Sequence, residues 1–160
     1  MSSAPDQELA IALNRTIQSS NNRWPNAAAF NAHPGQKGVI ASLLAHSIGY
    51  SEVLFMHATI SDPDEADAVV RVVAFTASTV TVITNMPSTT AITLPRAALI
   101  ALHVDQAPDL MSSAWSPLRL RLDYGPALDG PLVLGHELQP PRNQLELDEF
   151  RPELIGDLLR

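Results

Sequence analysis

From Glu52 to about Leu138 the chain reads as one short strand after another. Val69-Val70-Arg71-Val72-Val73-Ala74-Phe75 and Val80-Thr81-Val82-Ile83-Thr84 are rich in β-branched residues. Leu118-Arg119-Leu120-Arg121-Leu122-Asp123-Tyr124 alternates strictly, apolar then polar. Side chains of a strand point to opposite faces in turn, so this period of two belongs to half-buried strands. It constrains the fold class far more than the function.

The 160 residues suit one domain, large enough to build a core without disulfides or metal. Cys is absent, which excludes disulfide scaffolds, thiolate metal sites and thiol catalysis. The N-terminus shows no basic segment followed by an apolar run, so no secretory signal is expected. No stretch approaches the ~20 apolar residues of a membrane helix. These features predict a soluble, cytoplasmic protein. The formal net charge is −7, from 17 acids and 10 bases. With Lys37 the single lysine and the arginines scattered, no clustered basic patch exists for nucleic acid. The excess of Arg over Lys, with abundant Ala, points to a GC-rich genome.

Residues 6–18 are predicted helical, with Asp6 as N-cap and Leu9, Leu13 and Ile17 recurring on one face. Residues 26–32 form a second helical turn carrying Phe30. Residues 36–47 form a helix with Val39, Ile40, Leu43 and Leu44 on one side and Gly49 as its stop. Strands are expected near 52–60, 69–77, 79–85, 91–94, 99–104, 117–124 and 131–137, joined by Pro-, Asp- and Gly-bearing turns. Gln139-Pro140-Pro141 reads as a break. The tail is helical, with Pro152 in the first turn of a helix that starts near Arg151. Strands grouped between helices argue an α+β fold built on a mainly antiparallel sheet or barrel. The organisation expected is an N-terminal helical segment, 1–48, and a β domain with a C-terminal helix, 49–160.

The stretch from Ser51 to Leu159 resembles the pleckstrin-homology-like superfold in its bacterial form. Val72-Val73-Ala74-Phe75-Thr76 followed by Val80-Thr81-Val82-Ile83-Thr84 looks like the central hairpin of such domains. Thr93-Leu94-Pro95-Arg96-Ala97-Ala98-Leu99-Ile100-Ala101-Leu102 resembles their next segment, and Glu149 to Leu159 stands where the capping helix would be. The resemblance implies a seven-stranded barrel or sandwich capped by that helix, and a binding role, toward phosphoinositides in some members and toward peptides or self-assembly in others. Lipid-binding members hold phosphate with Lys and Arg around the first strand–strand loop. Here that loop, Ser61-Asp62-Pro63-Asp64-Glu65-Ala66-Asp67, carries four acids and no base. Phosphoinositide binding is therefore not carried over.

Other motifs are weighed against plain structural roles. The acidic loop lacks the Gly and terminal Glu of a calcium loop and reads as a solvated turn. Gly35-Gln36-Lys37-Gly38 matches the loop that clamps RNA backbone in KH domains, but its setting and the net charge favour an ordinary loop before a helix. No Gly-x-Ser-x-Gly elbow and no His-Glu-x-x-His pair occurs. His57 and His103 fall in predicted strands and would act in catalysis only if folded together. Arg119 and Arg121 share the polar face of one strand just after Trp115, a candidate anion or peptide contact.

The reading that follows is a protein-interaction or self-association module without catalysis, cofactor or metal. Candidate contact residues are Arg119, Arg121, Trp115, Leu9, Leu13 and Ile17. The amphipathic face Leu9-Leu13-Ile17 must be covered by the chain itself or by a partner. On this reading, removing 1–48 leaves a folded barrel. Alternatives are a small apolar ligand held inside the barrel, and a hydrolase or isomerase using His57 or His103. The partner is a protein or a second copy of the chain, not nucleic acid and not an inserted membrane.

Overall fold

Three consecutive strands with apolar residues on both faces decide the architecture. The computed structural model describes residues 4–112, 116–135 and 139–160. Strands β1 (Phe55–Ile60), β2 (Val70–Phe75), β3 (Thr79–Thr84) and β4 (Thr90–Pro95) form an antiparallel sheet in sequential order. The register pairs Phe55 with Phe75 and Ile60 with Val70, so side chains of like direction align. Met56, Ala58, Ile60, Val70, Val72, Ala74 and Ile83 belong to one core, and Phe55, Val73, Phe75, Val80 and Val82 to another. A strand buried on both faces needs a layer on each side.

The first layer is helical: α1 (Ala4–Ser20), α2 (Ala28–Ala32) and α3 (Gln36–Ile48). Leu13, Ile17, Trp24, Phe30, Ile40, Leu44 and Ile48 close over the first face. Trp24 packs edge-on to Phe30, 4.6 Å between centroids, and its indole N–H donates to Asn14 Oδ1 at 3.0 Å. Gly49 ends α3 at φ 58°, its N–H donating to Ala45 O, as the glycine stop requires. Helix α1 starts at Ala4, so Asp6 lies in its first turn rather than at its cap.

The second layer is a three-stranded antiparallel sheet, β5 (Ala101–Gln106), β6 (Arg119–Asp123) and β7 (Leu132–Leu134), closed over by α4 (Pro141–Leu158). Leu118, Leu120, Leu122, Leu132 and Leu134 meet Leu147, Phe150 and Leu154 of α4. The fold is thus α+β, with two antiparallel sheets and a C-terminal helix. No strand ladder joins the two sheets among the described residues, so the expected barrel is an open pair of sheets.

Two other expectations are corrected. The half-buried reading holds for β6, whose Arg119 and Arg121 stay partly exposed, but β2 and β3 are covered on both faces. Helix α4 begins at Pro141 and runs through Pro152, ten residues earlier than expected. Pro141 takes the first helical position, where a missing N–H is harmless. An interior proline costs about 3 kcal/mol. Leu147 and Phe150 before it and Leu154 after it are all buried, and this shared packing holds the helix together across the gap.

Terminal strand β1 is sealed by side chains rather than by a neighbour. Asn21 donates to Ala58 O and Asn143 to Met56 O, each at 2.9 Å. Satisfied edge carbonyls remove a template for strand addition. The acidic loop is a surface turn in which Asp62 accepts from Asp64 N–H and Asp64 pairs with Arg23 at 2.7 Å.

The described residues of the N-terminal segment, 4–48, are one wall of the first core. Their removal would uncover Met56, Ala58, Ile60, Val70, Val72 and Ala74 together. The expected result for residues 49–160 alone is aggregation or a dye-binding, loosely packed state, measured by gel filtration and near-UV circular dichroism. A monomeric fragment with sharp near-UV bands would contradict this packing.

Candidate functional site

The buried polar groups show what the chain has committed to architecture. Arg96 follows β4 and is 1% exposed. Its Nε donates to Asp157 Oδ2 at 2.9 Å, and Nη2 to Glu153 Oε2 at 3.1 Å. Its Nη1 donates to the carbonyls of Thr76 and Ala77 in the β2–β3 turn. The guanidinium also lies 5.2 Å from the Phe150 ring centroid. Burial alone would lower the pKa of Arg96, but the hydrogen bonds and charges of Asp157 and Glu153 outweigh it and raise the value. This cluster fastens α4 to the first sheet.

Tyr124 lies in the same electrostatic field. It is buried, and its hydroxyl has no hydrogen-bond partner among the described residues. Burial is the main cause that raises its pKa, Asp157 adds to the rise and Arg96 opposes it.

His57 is 1% exposed on the inward face of β1, stacked beside Phe55. Its Nε2 accepts the N–H of Gly135 at 2.9 Å, so the ring is neutral there with its proton on Nδ1. Gly135 is required: at φ 94°, an added Cβ would meet Leu118 O at 2.2 Å. His57 therefore ties β1 to the chain leaving β7. His103 is exposed on β5, opposite Arg121, so the structure does not bring the two histidines together. No group of three or more His, Asp or Glu could hold a metal ion among the described residues.

Two open concavities remain. A groove of about 860 Å³ runs between α1 and α3. Small residues make its floor, including Ala10, Gly38, Ala41 and Ala45. Exposed Ile11 and Tyr50 line it, with Arg15, Lys37 and His46. Lys37 is held with Nζ 5.7 Å over the Phe30 ring, and His46 Nδ1 lies 2.7 Å from Ser42 O. A second hollow of about 550 Å³ lies where the exit of α1, the start of α4 and strands β5 and β6 meet, lined by Asn22, Gln106, Arg119, Gln139 and Gln144.

The residues expected to make contacts fall into separate places. Leu13 and Ile17 are buried within the chain's own core, and Leu9 packs against that core while bordering the groove. Arg121 pairs with Asp105 at 3.2 Å on the outer sheet face. Arg119 lines the second hollow, whereas Trp115 lies outside the described residues. Sequence reasoning missed Arg96, because its partner Asp157 is 61 residues away. It missed Gln139 and Asn143 because the prolines between them read as a break. No helix among the described residues is long and apolar enough to cross a membrane.

No family model, no curated protein and no solved structure matches this chain.

The Arg96 cluster gives two tests. Arg96→Met leaves buried Asp157 with only its 3.7 Å contact to Arg160 and should lose about 3–5 kcal/mol in urea unfolding, while adding Asp157→Leu should recover much of the loss. Tyr124 gives the second. Unfolded, it ionises near its ordinary pKa of about 10; folded, it keeps its proton. The unfolded state then releases a proton that the native state holds, so stability falls as pH rises above about 10, by up to ~1.4 kcal/mol per pH unit. Tyr124→Phe should flatten that slope relative to the parent between pH 9 and 12 and leave stability at pH 7 unchanged or higher.

Proposed function

We propose that the chain is a non-catalytic interaction module, of pleckstrin-homology-like fold, whose contact face is the groove between α1 and α3. The exposed apolar side chains along that groove carry this reading. Ile11 is 54% exposed and Tyr50 70%, and both line the groove. A groove between two helices with small residues on it, exposed Ile11 and Tyr50, and polar residues such as Asp6, Gln7, Arg15 and Lys37 around them suits an amphipathic helix laid along it. The fold reading draws support from seven strands divided four and three and from a C-terminal helix packed over the second core. The helical layer on the outer face of the first sheet stands outside that pattern. A cytoplasmic setting agrees with the absence of Cys.

The apolar-ligand alternative is less favoured, because the space between the sheets is filled by side chains, among them Phe55, Phe75, Phe150, Leu120 and Leu122. The hydrolase alternative draws little support, since Arg96, Glu153 and Asp157 bond one another and His57 bonds a backbone N–H.

Native mass spectrometry and light scattering of the parent and of Ile11→Glu and Tyr50→Glu test the contact face. The expected result is a dimer or a retained protein partner in the parent. Each variant should lose about tenfold or more in affinity, roughly 1.4 kcal/mol, with its melting temperature kept. Assembly identical in parent and variants would remove the groove from the contact. A parent that stays a bare monomer at the highest attainable concentration, with no partner retained from its own host, would overturn the reading.

A further inference from the structure

A residue at the wall of the second hollow carries a buried acceptor whose orientation is fixed by a chain of hydrogen bonds. Met56 O is a backbone carbonyl and can only accept, so Asn143 must turn its NH₂ toward it. Asn143 Oδ1 then faces Gln139, which must present its own NH₂. The remaining oxygen, Gln139 Oε1, is left without a partner among the described residues, on a side chain only 4% exposed at the wall of the hollow. An amide held this way cannot flip to hide its oxygen. Buried acceptors are rarely left unmet, and such an exception calls for a ligand or water as partner.

The rest of the lining has one electrostatic sense. Arg119 is half-buried there and makes no hydrogen bond or ion pair with any described residue, in contrast to Arg121, which is held by Asp105. Pro141, the first residue of the 18-residue helix α4, also lines the hollow and brings the positive helix end to its edge. Asn22, Gln106 and Gln144 add amides that both donate and accept, and no acid is among the described lining residues. On a chain of net charge −7, a concavity with no acid among its described lining residues, and with an arginine unpaired among them, favours an anion. Its volume of about 550 Å³ is in the range of small-molecule sites.

We infer that this hollow binds a small carboxylate bearing its own O–H or N–H donor, of the hydroxy-acid or amino-acid class. The carboxylate pairs with the Arg119 guanidinium at the α4 N-terminus. The adjacent donor goes to Gln139 Oε1. A carboxylate alone leaves that acceptor unmet.

Titration of the ¹⁵N-labelled protein with glycolate, glycine and acetate, following side-chain amide signals by NMR, tests this. Glycolate or glycine should give saturable shifts of the Gln139 and Asn143 NH₂ signals, with acetate clearly weaker. Arg119→Gln should abolish saturation while its spectrum otherwise overlays the parent, since Arg119 supports no other described residue. Gln139→Met should reduce glycolate to the level of acetate. Absence of saturation with all three probes, or shifts that persist unchanged in Arg119→Gln, would overturn the site. Equal binding of acetate and glycolate by the parent would overturn the role given to Gln139.

Discussion

Burial of the first sheet on both faces is the constraint from which the rest follows. Val72, Ala74 and Phe75 in β2 and Val80 in β3 have essentially no exposure. Each fully buried aliphatic or aromatic side chain contributes about 1.5–3 kcal/mol. A single layer can shield only one set of these residues. The helices up to Ile48 cover one face, and the second sheet with α4 covers the other. The two cores share the sheet but no side chains, because the pleat sends odd and even positions apart.

Apolar contact is non-directional, and the polar bonds give the layers their register. Arg96 joins the β2–β3 turn to Asp157 and Glu153 of α4, His57 joins β1 to Gly135, and Asn21 and Asn143 bind β1 to the helices on either side. Replacing a buried ion pair by matched apolar residues is often neutral or stabilising, so the Arg96–Asp157 pair is better understood as positioning than as net stability. A fork of five donors meets two carboxylates and two turn carbonyls at one helix angle, which a leucine contact would leave free.

Legibility in the sequence tracked the range of the interaction. Strands marked by a β-branched run or by alternation were visible within a residue or two, as at Val80–Thr84 and Leu118–Tyr124 respectively, and the glycine stop at Gly49 was visible too. The two-faced burial of β2 was latent in its apolar run Val72-Val73-Ala74-Phe75, which alternation alone does not resolve. The start of α4 was hidden because Pro140-Pro141 suits a chain break and a helix start equally well, and only the packing of Leu147 and Phe150 decides. Arg96 was one scattered arginine among nine, with no local sign of burial. Arg119 was visible as a polar strand position, but Gln139 was not, since its acceptor is isolated only by bonds running through Asn143 to Met56.

The groove and the hollow both touch the same helix. Residues of α1 line the groove, and its exit carries Asn21, clasped to β1, and Asn22, at the hollow. Shared structure alone does not couple two sites; an element with two arrangements is needed. Ile17 is fully buried, and Asn14 is bonded to Trp24, itself fully buried. Moving α1 would open a core close-packed around those side chains, which resists continuous deformation. The helix is therefore a rigid partition between the two concavities, and occupancy of one should leave affinity at the other unchanged. Linkage requires the converse to hold equally. The physical picture is of two independent surfaces on one scaffold, one a groove of mixed polarity between α1 and α3, the other a hollow lined mainly by amides and Arg119.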